Sequence, residues 1–314
     1  MTPLTALRQT PARRANQGLA KAWGHRYLYA MLLLPVAYYV IFCYWPMYGV
    51  QIAFRKYNLR LGVFGSPWVG LKYFQQYLAD PYFWKVVRNT LLINVYSLIF
   101  SFPAPILLAL LLNELKSEKY KRLVQSISYM PHFISTVVIC GMITNFLAND
   151  GFVNNILAGM GYARIQFLMK PGYFRTIFIG SGIWQGIGWG SIIYLAAISG
   201  VDVQLYEAAI IDGAGRFRQA LHVTIPAILP TVTIMLIMAV GGLMSSGAEK
   251  ILLLYNGSTY ETADVIATYV YRQGIESANY SYSTAVGIFS SVIGMLFLYG
   301  ANFVSRAVSE NSLW

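Results

Sequence analysis

The sequence predicts an all-α polytopic membrane protein with six transmembrane helices, and three features of its 314 residues predict it. Hydrophobic residues make up 57% of the chain and charged residues 11%, less than half of the ~25% usual in a soluble domain. The charges are also segregated, being absent from Tyr27 to Phe54, Asn89 to Asn113, Leu123 to Asn149, Thr176 to Val201, Gln219 to Ala248 and Ser277 to Ser305. Each run exceeds the ~20 residues that a helix needs to cross hydrocarbon. None alternates like a barrel strand, and backbone groups left unpaired in lipid are costly, so each run must satisfy its own hydrogen bonds as a helix.

These runs place spans near 28–54, 90–112, 124–147, 176–200, 226–248 and 281–305, within one six-helix membrane domain over 27–306. An N-terminal tail (1–26) and a C-terminal tail (307–314) flank it. The first tail carries Arg8, Arg13, Arg14, Lys21 and Arg26 with no acid. The apolar run behind it is too long for a signal sequence and lacks a small-residue cleavage site, so it is expected to stay as the first anchor. With both termini in the cytoplasm, 12 Lys and Arg fall inside and 11 outside. The positive-inside rule therefore barely discriminates, and the basic tail alone favours this orientation. Cys43 and Cys140 lie inside apolar runs without metal or disulfide spacing and read as packed core residues.

Along the chain, the loop from Arg55 to Arg88 is broken by Gly62, Gly65, Pro67 and Gly70, after which Leu71 to Leu78 is expected to form a short interfacial helix. Its Trp and Tyr residues fit an aromatic belt at the headgroups better than a sugar-binding face. Pro103, Pro105 and Pro131 fall inside the second and third spans, where proline removes a backbone bond and kinks a helix. Beside Pro131, His132 reads either as bonded to a carbonyl freed by the kink, the favoured reading, or as lining a path. In the fourth span Gly182, Gly186 and Gly190 recur every fourth residue, a stripe that permits close helix packing. Trp184, Gln185 and Trp189 point elsewhere. An amide in that medium needs a partner, so Gln185 is expected to bond a neighbouring helix or, less readily, a hydrophilic substrate.

The stretch YEAAIIDGAGRFRQALHVTIPAILP, Tyr206 to Pro230, interrupts two apolar runs. With the N-terminus inside, it is a cytoplasmic loop. Leu205, Ala208 and Ile211 share a face of a short helix, with Glu207 near its start; Gly213 and Gly215 turn the chain; and a second short helix around Arg216 to His222 leads to Pro226 and Pro230. Glu207-Ala208-Ala209, then Gly213, then Val223-Thr224-Ile225-Pro226 resembles the signature of the integral membrane permeases of binding-protein-dependent ABC importers. That resemblance implies a type I permease fold, with the loop as a coupling helix seated in an ATPase subunit. It also implies ATPase-coupling roles for Glu207, Ala208, Ala209, Asp212, Gly213 and Phe217, with Glu207 capping or salt-bridging the docked helix.

PMYGVQIAFRKYN, GSPWVGLKYF, GWGSIIYLAAISG, DVIATYVYRQG and the terminal SLW are similar to the permeases of that family that import oligosaccharides and polysaccharides, an alginate importer among them. The resemblance covers most of the chain from Tyr27 onward. It departs at Glu249-Lys250, where the family often carries glutamine. The implied partners are a second homologous permease, two ATPase subunits, a periplasmic solute-binding protein, an oligosaccharide and membrane lipid, in a bacterial inner membrane; no nucleic acid is implied.

The chain has no glycine-rich loop ending in Gly-Lys-Ser/Thr, so ATP and Mg are expected on the partner ATPase and no cofactor on this chain. A membrane enzyme would need a catalytic constellation that the sequence does not show. An ion-coupled secondary sugar transporter or channel would call for an acid within a span, and every acid lies outside the charge-free runs. The outer loops hold 11 basic and 6 acidic residues, an excess that suits an anionic cargo such as an alginate-like sugar, and equally anionic lipid or a docking protein. Trp184, Gln185, Trp189 and His132 are the candidate path residues.

Overall fold

Each apolar run folds as helix in the computed structural model, which describes residues 24–245 and 247–308. The basic tail expected ahead of the first span falls outside these residues from its start to residue 23, as do residues 309–314. Among the described residues the only extended pairings are two isolated bridges, Arg55 with Trp68 and Asn58 with Gly62.

The helices are α1 (Arg26–Phe54), α2 (Lys72–Ala79), α3 (Phe83–Asn113), α4 (Glu118–Phe133), α5 (Thr136–Phe146), α6 (Phe152–Gly159), α7 (Pro171–Ser199), α8 (Val203–Ile211), α9 (Arg216–Met244), α10 (Ala248–Leu254), α11 (Ile266–Tyr271) and α12 (Tyr280–Val308). Among them α1, α3, α9 and α12 are each long and apolar enough to cross a membrane. The bent pairs α4–α5 and α7–α8 raise the number to six if each pair is one crossing. The 3₁₀ turn Tyr48–Phe54 that ends α1 packs on α12, yet the apolar window of α1 is 0% buried against the rest of the chain. A helix apolar on every side belongs in lipid or against another chain.

The third crossing is not the continuous helix expected over 124–147. At Pro131 the chain tightens into a 3₁₀ turn, Ile134 is extended, and α5 restarts at an angle of 99° to α4. Pro131 supplies no N–H, and Ser135 then caps the new helix by accepting from the Val138 N–H at 3.4 Å. The fifth crossing also differs. It begins at Arg216 rather than 226, because a π turn over Ala220–Thr224 carries the helix past Pro226 without a break. The wider turn shifts the bonding register where proline lacks a donor.

Helix α7 is wedged between α3 and α4, and glycines make the wedge fit. A Cβ on Gly188 would fall on the Ser128 carbonyl of α4, and one on Gly190 would lie 2.9 Å from the Pro105 ring of α3. Two residues turn a helix by about 200°, so these glycines serve nearly opposite faces. The expected stripe therefore contributes only Gly190 to these two close approaches. A Cβ on Gly186 would meet nothing within 4 Å, and one on Gly182 would stand 3.8 Å from Lys250 Nζ. At the Asp202 end, Ala109 of α3, Tyr194 and Ile198 of α7 and Ile228 of α9 pack into one core.

The opposite end is tied together by polar groups. Asn89 of α3 donates to the carbonyls of Glu261 (2.9 Å) and Asp264 (3.1 Å) and accepts from Arg175 of α7 (2.9 Å). The hydroxyl of Thr90 accepts from the Ile266 N–H at 2.9 Å. Arg272 grips the fully buried Asp264 through two bonds of 3.0 and 2.6 Å, and Thr268 donates to the same carboxylate at 2.8 Å. Nearby, Asp80 accepts from the hydroxyls of Tyr269 (2.6 Å) and Tyr282 (2.8 Å) and from the Tyr82 N–H (2.8 Å). Burial pushes the Asp80 carboxyl up, and the bonds from Tyr269, the Tyr82 N–H and Tyr282 outweigh it, leaving it below its ordinary value. These bonds pin the 255–279 segment across α3, α7 and α12.

Breaking a buried ion pair from one side is costly, by about 3–5 kcal/mol. Asp264→Ala should accordingly lower the melting temperature of the detergent-purified protein sharply, and Asp264→Asn, which keeps the bond from Thr268, less so. Gly188→Ala should also lower it by forcing α4 away from α7. Gly186→Ala should leave it unchanged or raise it, since alanine favours helix over glycine by about 1 kcal/mol.

Candidate functional site

The polar loop after α7 is built as a rigid knob. The chain leaves α7 at Gly200 and turns 74° into α8. Asp202 caps α8, its carboxylate accepting from the Gln204 N–H at 2.9 Å. The expected position of Glu207 near the start of this helix is corrected: it is the fifth of nine residues, and the capping acid is Asp202. Glu207 is exposed and makes no hydrogen bond or ion pair among the described residues. An N-cap is legible from an Asp just ahead of an apolar helix, a cue that the emphasis on Glu207 obscured.

At its other end α8 closes in a Schellman turn. The Ala214 N–H bonds the Ala209 carbonyl at 2.8 Å and the Gly213 N–H bonds the Ile210 carbonyl at 3.0 Å, with Gly213 at φ +75°. A Cβ there would meet nothing within 4 Å, so the backbone conformation rather than space is what calls for glycine. Two bonds then staple the knob to α9: Gln219 donates to the Ala214 carbonyl at 2.7 Å, and the Tyr206 hydroxyl meets that of buried Thr224 at 2.9 Å. Arg216 reaches Glu114, beyond the end of α3, at 3.4 Å, but both side chains are exposed and the pair contributes at most about 1 kcal/mol.

What the knob displays is apolar. Leu205, Ile210, Ile211 and Phe217 are all exposed, Ile211 at 85% and Phe217 at 81%. Ala208, Ala209 and Asp212 line a hollow of about 360 Å³ with Leu205, Arg218 and His222. Large apolar groups rimmed by charges on a polar loop mark a surface for another protein.

The four candidate path residues are not gathered at one place. Trp189 lines a cleft of about 630 Å³ between α3, α7 and α9, where Asn94, Ser97 and Ser101 present a polar row at helical spacing. Sequence reasoning missed that row, although its spacing within a charge-free run was there to read. His132 sits at the elbow of the third crossing and stacks flat on Trp189, ring centres 4.5 Å apart. The expected bond from His132 to a freed carbonyl is not formed among the described residues. Trp184 faces a separate groove with Val124, Ser128 and Pro131. Gln185 has no hydrogen-bond partner among the described residues, contrary to its expected bond with a neighbouring helix. Cys140 is buried against the α7 and α10 core, as expected, whereas Cys43 is exposed on α1, which has little of the chain to pack against. No group of described His, Cys, Asp or Glu residues is placed to hold a metal.

The family model described as "Binding-protein-dependent transport system inner membrane component" matches residues 101–310, which include the knob and all of α7. Protein LplB of Bacillus subtilis is 40% identical over 311 residues, 98% of each chain. The polygalacturonan/rhamnogalacturonan transport system permease protein YteP of the same organism is 41% identical over 297 residues, covering 94% of this chain and 92% of its own. Among solved structures, a chain of a bacterial ABC transporter involved in the import of the acidic polysaccharide alginate superposes with a TM-score of 0.87 at 42% identity, covering 94% of this chain and 99% of that one. With its helical bundle, its knob and these matches, the chain belongs to the family of binding-protein-dependent transport system inner membrane components.

Proposed function

We propose that this chain is the permease subunit of an ATP-driven importer that moves oligosaccharides, acidic ones in particular, across the inner membrane by alternating access. The observation that carries the reading is the knob: a short capped helix, closed by a left-handed glycine and stapled to the fifth crossing, that shows Ile210, Ile211 and Phe217 to the outside. A face of that kind suits a groove on an ATPase subunit, which binds the ATP and Mg while this chain binds neither. Glu207, without a partner among the described residues, is available to a basic group on that subunit.

In this reading the knob and both termini are cytoplasmic, so the Asn89–Asp264–Arg272 cluster lies at the periplasmic end, where a solute-binding protein delivers cargo. A second, homologous permease completes the path and covers the apolar face of α1. Because α8 is fixed to α9 by Tyr206, Thr224 and Gln219, displacement of the docked knob moves the bundle as a body rather than unwinding a loop. The relatives that carry polygalacturonan, rhamnogalacturonan or alginate in their names support a uronate-type cargo. The basic excess in the loops assigned to the periplasm agrees with it. An ion-coupled carrier has no such support, since the charge-free runs hold no acid to bind a coupling ion.

Two experiments test this. Gly213→Val, which puts a branched side chain at positive φ, should cut ATP-driven uptake by about tenfold or more in proteoliposomes, whereas Gly213→Asn should keep most of it because asparagine tolerates that conformation. Equal uptake by both variants would remove the coupling role. The purified chain reconstituted alone should carry no oligosaccharide; uptake without an ATPase subunit would restore the secondary-carrier reading.

A further inference from the structure

Helix α10 follows the fifth crossing and packs against α5, carrying Lys250 into the bundle. The lysine is 8% exposed, and its ammonium has no hydrogen-bond partner among the described residues. The Phe178 ring of α7 lies 5.3 Å from it, and Gly182 stands beside it, a Cβ there falling 3.8 Å from the Nζ. Gly182 is the twelfth residue of α7, about 16 Å along a helix about 43 Å long, so the charge sits well inside the bundle. Glu249, its neighbour in sequence, is exposed and offers it no bond. Asp264 is already held by Arg272 and Thr268.

An ammonium kept without a partner inside a membrane domain is expensive, and a face-on aromatic ring compensates only partly. A charged group at such a place marks an ion or substrate pathway by default. We propose that Lys250 is the residue that selects acidic cargo: when the outer ends of the helices part, its ammonium leaves Phe178 and binds a carboxylate of the passing oligosaccharide. This rests on the acidic-cargo reading given above. The device suits its position. Lys250 is attached through α10 to the 255–279 segment, which Asn89 and Thr90 tie to α3, so opening at that end moves the lysine with the segment. At Gly182 the glycine stripe of α7 faces this cation rather than a close helix backbone.

The test uses the whole importer in proteoliposomes, with its binding protein saturated in turn by an oligogalacturonate digest and by the same digest after carboxyl reduction. The assembled wild type should turn over the acidic oligomers about tenfold or more faster than the reduced ones, the size of effect expected of one charge-assisted bond. Lys250→Gln and Lys250→Met should bring the two rates within about twofold of each other, and Lys250→Arg should keep the preference. A preserved preference in the Gln and Met variants would overturn the proposal. So would an equal fall for both cargoes, or failure of both variants to assemble, since either places the counter-charge inside the complex. If the wild type moves both digests equally, the acidic-cargo reading fails first and this inference with it; if it moves neither, the sugar reading itself fails.

Discussion

Hydrocarbon offers no hydrogen bonds, and every feature of this chain is arranged around that constraint. Six apolar runs become helices because a helix satisfies its own backbone. Wherever a helix must end, bend or break, a specific group repairs the ladder. Ser135 caps the helix that restarts after Pro131, a π turn carries the chain past Pro226, and the end of α8 closes on the carbonyls of Ala209 and Ile210. Where the helices are short and broken, over 255–279, Asn89, Thr90 and Arg175 reach across from α3 and α7 to bond the backbone between them or hold the groups that do. Irregular backbone at that end survives because protein side chains take the place of water.

Close packing supplies the second constraint. Without a hydrophobic force between helices in lipid, association relies on contact at short range, and α7 obtains it on two sides through Gly188 and Gly190. A helix held so firmly is a good lever. It connects the cleft lined by Trp189 with the knob beyond Ser199, ten residues further along the same helix.

Much of this was legible in the sequence because the relevant physics is local. Charge-free length announces a crossing whatever lies beside it, and the Glu207-Ala208-Ala209 spacing to Gly213 identifies the loop. The positive φ at Gly213 has the same local character, since it follows from the way a helix ends. Legibility stopped where partners decide. The third crossing has a break that its apolar pattern conceals, because hydropathy does not record direction. The glycine stripe of α7 was visible, yet Gly188, off the stripe, makes the tighter approach, since which face meets a neighbour depends on rotation about the helix axis. His132 was expected to bond a carbonyl and instead stacks on Trp189, 57 residues away, a contact that only the fold creates.

The sequence by itself determined that the chain is a helical membrane protein with a charged loop between its fourth and fifth apolar runs, because burial in lipid and the spacing of turn residues act within short stretches. Tertiary structure alone decided that Asp264 is the buried anchor of the opposite end and that Lys250 lies beneath Phe178 with no hydrogen-bond partner among the described residues. Those roles depend on which groups stand within about 3 Å of one another or fail to, and hydrogen-bond energy falls away too steeply with distance for sequence spacing to stand in for it.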